Sequence, residues 1–164
     1  MDFKNLSKTQ KLTISALVIA VYVVVMYITQ SFAFLQYQVR VATAMYGLAY
    51  LFPFLVVPLG IANMLSNTIM GGLGILDIIG GGVSGLLASW VCMLLGKRKM
   101  NKALVIVPVT LIPGLMVSAW LSIILNVPYP VMAVSLLIGQ FIAGILSALL
   151  VKSLARVFKM EKQK

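Results

Sequence analysis

The stretch GKRKMNK, residues 96–102, decides how the chain folds. It places Lys97, Arg98, Lys99 and Lys102 in one short polar break between two long apolar regions. On either side the chain is greasy: of its 164 residues 62% are hydrophobic and 10% are charged. A soluble domain carries roughly 25% charged residues. The apolar residues come in continuous runs, without the alternation of a half-buried strand. Runs of about 20 apolar residues match the thickness of a bilayer's hydrocarbon core. Within that core every backbone amide needs a partner inside the protein, which leaves helices or closed barrels. These runs are too long for barrel strands, so the sequence predicts an all-α integral membrane protein.

The net charge of +10 could suggest a nucleic-acid partner, but its distribution argues against one. Lys4, Lys8 and Lys11 precede the first apolar run, and Lys152, Arg156, Lys159, Lys162 and Lys164 close the chain. With the 96–102 break they form three clusters flanking apolar runs, the bias of cytoplasmic loops. Only Arg40 lies elsewhere. The N-terminus, the break and the C-terminus are therefore expected inside, and residues 36–40 and NVPYP (126–130) outside. An odd number of crossings must fill 41–95, and three fit. The expected helices are 12–35, 41–56, 58–71, 75–95, 103–125 and 131–158, forming one six-helix domain with both ends cytoplasmic and a short third helix. The first run is long for the apolar core of a signal peptide and is read as a retained helix.

One acid, Asp77, lies in the middle of the chain; Asp2 and Glu161 sit near its ends. Intramembrane acids cost about 2.5–3.5 kcal/mol on insertion scales and mark substrate or ion paths. Asp77 is expected either to cap the fourth helix or to bind a ligand, and the two are compatible. Asn63 and Asn67, four apart, share a helix face and could bond neighbouring helices or read a polar ligand. Arg40 is expected to snorkel at the interface, with ligand contact as the alternative. Gln36 and Gln38 share its outer loop. Trp90 and Trp120 read as belt or packing aromatics, with Trp120 a candidate for stacking on a ligand; Tyr37 and Tyr129 are similar candidates. Ala16 and Ala20 form an AxxxA pair, and Gly139, Ala143 and Ser147 a comparable face. Small residues at that spacing let helices approach closely, within the chain or against another subunit.

The chain has no histidine and one cysteine, Cys92, so it lacks a disulfide framework and a Cys/His metal site. Cys92 reads as a small packing residue. No P-loop, HExxH or GxSxG motif is present, and no paired carboxylates. No enzyme activity and no cofactor is expected. Uphill transport would need energy from partner subunits.

Four segments carry a family resemblance: QVRVATAMYGL (38–48), LGIANMLSN (59–67), GILDIIGGGVSGLLAS (74–89) and LIGQFIAG (137–144). Together they resemble the QueT-type queuosine-precursor subunits, which are S-components of energy-coupling factor (ECF) transporters. The resemblance covers most of the chain. It implies a 7-deazaguanine ligand bound from outside and partnership with a transmembrane coupling subunit and two cytoplasmic ATPases. The S-component is thought to topple in the bilayer to release its ligand. Ala16 and Ala20 match the face that docks on the coupling subunit. Asp77 would accept the ring N–H and the exocyclic amine of the base, a bidentate charge-assisted pair. Asn63, Asn67, Arg40, Gln38 and Gln140 would supply further polar contacts, and Trp120 would cover the π-face.

The chain departs from the family pattern at two positions. Thr43 and Gln140 stand where glutamates are frequent, and more residues separate the asparagines from Asp77. The loss of two anions implies a less cationic ligand than preQ1, such as a queuine-like base. The residues leave alternatives open: an S-component for thiamin, biotin or riboflavin, a structural membrane protein without a ligand, or a self-sufficient facilitator.

Overall fold

The computed structural model describes residues 6–33, 39–70 and 73–158. Every element among them is helical. Helix α1 (Lys8–Ile28) starts at a capping box. There Ser7 Oγ accepts from the Gln10 amide at 3.2 Å, and Gln10 Oε1 accepts from the Ser7 amide at 2.9 Å. These bonds satisfy two amides that lack an intrahelical acceptor. A single turn, Gln30–Ala33, follows α1. Next come α2 (Val41–Leu51), α3 (Pro53–Ile69), α4 (Ile75–Lys97), α5 (Lys102–Ile124) and α6 (Tyr129–Val157). Among the described residues α1, α4, α5 and α6 are long and apolar enough to cross a membrane. The chain is thus an all-α bundle of the multi-pass membrane type.

The last three expected helices, 75–95, 103–125 and 131–158, match α4, α5 and α6 closely. The second and third do not match as well. Their break falls at Phe52, with φ −127° and ψ 84°, and not at residue 57. Phe52 precedes Pro53, whose ring disfavours a helical conformation in the residue before it. Pro58 does not break the chain. It is the third residue of the α-helical run Val56–Ile69, where the missing N–H has no acceptor to lose. The short element is therefore α2, not α3.

Helix α2 opens as a 3-10 helix over Val41–Gly47. Runs of that type longer than three or four residues are uncommon and often mark strain or a functional site. The Thr43 hydroxyl donates to the Arg40 carbonyl at 2.6 Å inside this turn.

Short as it is, α2 is central. Ala42, Thr43, Ala44, Tyr46, Gly47, Leu48 and Ala49 are buried, and α2 packs on α6, α4 and α1. A methyl on Gly47 would lie 2.1 Å from Ser147 Oγ, so glycine is what lets α6 come this near. Gly139, Ala143 and Ser147 are all buried. That small-residue face is internal packing. Ala16 and Ala20, by contrast, are exposed.

The main core joins Tyr22 and Met26 of α1 to Leu55 and Leu59 of α3, Cys92 of α4, Val109 of α5 and Val151 of α6. A smaller cluster of Val117, Leu121, Met132 and Leu136 lies between α5 and α6, with Trp120 packed against it. Helix α1 is the least enclosed of the long helices. Its apolar window is 11% buried, against 39–50% for the other three.

Candidate functional site

Helix α4 begins at Gly74, whose φ of 94° suits a residue without Cβ. That turn brings Asp77 inside the first helical turn, where it is 2% exposed. Asp77 is not an N-cap, because Gly74 holds that position and no side chain caps this end. Its Oδ1 instead accepts from the indole N–H of Trp120 on α5, at 3.1 Å. The capping reading is thereby corrected: the carboxylate faces a neighbouring helix.

Asn63 and Asn67 do share a face, as expected, and that face meets α4. Asn67 Nδ2 donates to the main-chain oxygen of Asp77 at 2.8 Å. One turn away, Asn63 Nδ2 donates to the main-chain oxygen of Gly81 at 2.7 Å. A helical carbonyl has a second lone pair, so these bonds do not disturb the helix ladder. Asn67 is fully buried, and its Oδ1 has no partner among the described residues. A buried acceptor left in this state costs about 1–3 kcal/mol. It is an opening for a donor.

Three consecutive glycines permit this approach. A methyl on Gly80 would lie 2.9 Å from Trp120 Cη2, one on Gly81 2.6 Å from Asn67 Nδ2, and one on Gly82 2.1 Å from Met64 Cγ. The GGG run therefore lies inside α4, with Gly80 facing α5 and the other two facing α3.

Arg40 does not snorkel. It is 2% exposed, and its Nη1 donates to Asn63 Oδ1 at 3.4 Å. The sequence places Arg40 next to a polar loop, but the bundle closes over it because α2 is drawn into the centre. Gln140 on α6 is also buried, and its Oε1 lies 2.9 Å from Thr43 Oγ1. The Thr43 hydroxyl has one proton and two neighbouring oxygens, Arg40 O and Gln140 Oε1. It satisfies both only by sharing that proton, or by a rotated Gln140 amide that donates to it. Gln38, Gln36 and Tyr37 lie outside the described residues. Trp90 is 45% exposed and faces outward, as a belt or packing residue should. Tyr129 is exposed, and its hydroxyl donates to the Leu115 carbonyl at 3.4 Å.

Reading the sequence alone missed two residues. Tyr22 and Tyr46 are fully buried, with hydroxyl oxygens 3.1 Å apart. Tyr46 also accepts from Asn63 Nδ2 at 2.8 Å. The available signal was a tyrosine amid aliphatic residues in each segment, because a buried phenol needs a partner for its hydroxyl.

The assembly is thus one carboxylate, one guanidinium and three amides, all buried, gathered from α3, α4, α6 and the residue preceding α2, with an indole from α5 beside them. Among the described residues no three His, Cys, Asp or Glu side chains group to hold a metal. The set offers hydrogen-bond donors and acceptors of both charge signs. Nothing in it supplies a nucleophile with its base.

The QueT transporter family model matches residues 12–156. The chain belongs to the QueT transporter family. It is a membrane transport component of the queuosine-precursor-related S-component type, not an enzyme. No curated protein and no solved structure matches it. The QueT match spans α1 to α6 and so includes every buried polar residue described above.

Proposed function

We propose that this QueT-family chain binds a 7-deazaguanine base, queuine-like rather than preQ1-like, with Asp77 reading the donor edge. The observation that carries this reading is the Asp77 carboxylate, 2% exposed and held by the Trp120 indole at 3.1 Å. The ring N–H and exocyclic amine of the base are adjacent donors that one carboxylate can accept together. Asn67 Oδ1 offers a further acceptor. Asn63, Arg40, Gln140 and Gln38 complete the polar contacts, and the Trp120 ring covers one face. The choice against preQ1 is supported by the Thr43–Gln140 contact at 2.9 Å. Two uncharged groups that satisfy each other give the compact primary ammonium of preQ1 no anion to pair with, whereas the secondary amine of queuine carries a hydroxylated ring whose hydroxyls such polar groups can meet.

In this reading α2 and α3 complete six crossings with both termini cytoplasmic, in keeping with the three basic clusters. Ala16 and Ala20 on the exposed side of α1 dock on a transmembrane coupling subunit, and two cytoplasmic ATPases supply the energy.

Calorimetric titration of the purified protein with queuine, preQ1, queuosine, thiamin, biotin and riboflavin tests the ligand. Sub-micromolar binding of queuine with weaker preQ1 is expected. Tight preQ1 binding would defeat the choice of queuine, and tight binding of a vitamin alone would replace the substrate. Gly80→Ala is expected to push Trp120 off Asp77 and weaken queuine about tenfold, roughly 1.4 kcal/mol. A second variant addresses docking. Ala16→Leu with Ala20→Leu should leave queuine binding unchanged and abolish uptake in cells that supply the coupling subunits. Normal uptake would remove this face from the docking surface.

A further inference from the structure

We infer that Tyr22 and Tyr46 form a positioning relay that ties α1 to the ligand-binding face, so that occupancy of the site is felt at α1. Neither tyrosine has a place in the ligand contacts above. Tyr22 and Met26 are the buried residues of α1, and Tyr22 brings the polar group. Its ring stacks on Tyr46, with centroids 6.0 Å apart and planes 20° apart. The two hydroxyl oxygens are 3.1 Å apart, and either can donate. Tyr46 in turn accepts from Asn63 Nδ2 at 2.8 Å, and Asn63 Oδ1 accepts from Arg40. Gly85 makes room, because a methyl there would lie 2.9 Å from the Tyr46 hydroxyl oxygen. The chain Arg40–Asn63–Tyr46–Tyr22 therefore runs without a gap from the polar cluster to α1, every member at most 2% exposed.

Two features make this chain a coupling element and not only packing. Helix α1 is the least enclosed long helix, and the Tyr22 hydroxyl is its buried polar tie to the bundle among the described residues. At about 100° per residue, Tyr22 sits roughly 200° around α1 from Ala20. The relay thus ends on the inner side of α1, behind the exposed Ala16 and Ala20. A ligand that fixes Arg40 and the Asn63 amide in their present places firms the bond that Tyr46 receives, and with it the hold on Tyr22. By linkage, the position of α1 must then act back on ligand affinity to the same extent. That the outer face of α1 docks a partner rests on the function proposed above; the relay itself does not.

The test is hydrogen exchange across α1 in the full chain in lipid nanodiscs. The first arm uses no ligand and compares wild type, Tyr22→Phe, Asn63→Leu and the double variant. Each single change is expected to raise exchange in α1 about threefold, the change one interhelical hydrogen bond in a membrane typically carries. The double variant should be no faster than Tyr22→Phe alone. Additive effects would overturn the relay. Tyr46→Phe replaces Asn63→Leu if that variant does not fold. The second arm adds queuine or preQ1. Wild type should gain protection in α1, and Tyr22→Phe should lose that gain while its affinity falls about threefold. Equal protection in both would overturn coupling to the ligand. If neither base binds wild type, the ligand assignment fails, and the ligand-free arm still decides the relay.

Discussion

Asp77→Asn is expected to weaken deazaguanine binding by roughly 30-fold to several-thousand-fold, the effect of about 2–5 kcal/mol for removing one member of a buried, hydrogen-bonded charge contact. The substitution keeps the shape of the side chain. An asparagine oxygen can still accept from the Trp120 indole, which lies 3.1 Å from Asp77 Oδ1. The bond from Asn67 is to the main-chain oxygen of residue 77 and is untouched. What changes is the donor–acceptor pattern. A carboxylate offers two acceptors to two donors, whereas an amide offers one acceptor and one donor, which opposes the base's second N–H. The affinity should therefore fall while helical content and the unfolding midpoint of the empty protein stay close to wild type. Calorimetry on both proteins, with thermal unfolding as the control, checks this. A loss below about threefold would take Asp77 out of the ligand contacts.

The sequence disclosed the membrane class and most helix ends because these follow from local composition. Apolar run length sets a span, and basic clusters set its ends. The GKRKMNK break and the NVPYP turn both separate helices, as expected. The division between α2 and α3 was less legible, because Pro53 and Pro58 are equal as letters. Only the position of each within its helical turn separates a break from a tolerated first-turn proline. The site divides in the same way. The Asn63–Asn67 face and Asp77 could be read from spacing and from the cost of an intramembrane acid. The burial of Arg40 could not, because it depends on α2 folding into the middle of the bundle. The Thr43–Gln140 contact joins residues 97 apart, and Tyr22–Tyr46 joins two apolar-looking segments. Such contacts are set by tertiary packing, which local patterns do not carry. The same limit explains the small-residue faces: AxxxA and Gly139–Ala143–Ser147 look alike as patterns, yet the second is buried and the first is open.

Gly96→Ala is expected to be among the most damaging single-methyl changes in the bundle. An ideal Cβ at Gly96 would lie 2.1 Å from the main-chain oxygen of Tyr50, 2.9 Å from its carbonyl carbon and 3.1 Å from its Cα. All three are backbone atoms at the end of α2, so no rotamer change relieves the clash. The Tyr50 hydroxyl also donates to the Met100 carbonyl in the basic break, which ties the end of α2 to the end of α4. The methyl must therefore push α2 away from α4. Because α2 carries Thr43 and Tyr46, and Arg40 immediately precedes it, the displacement reaches the polar cluster. Overpacking of this kind costs about 1–3 kcal/mol, sometimes more, and should lower the unfolding midpoint by several degrees along with ligand affinity. Gly114→Ala is the matched comparison. Its Cβ would lie 2.7 Å from Leu137 Cδ2, the far end of a flexible side chain that can turn aside. Thermal unfolding of the two variants in the same detergent should place Gly96→Ala clearly below Gly114→Ala. Equal or reversed midpoints would mean that the α2–α4 contact is not this close, and the central position of α2 would then have to be abandoned.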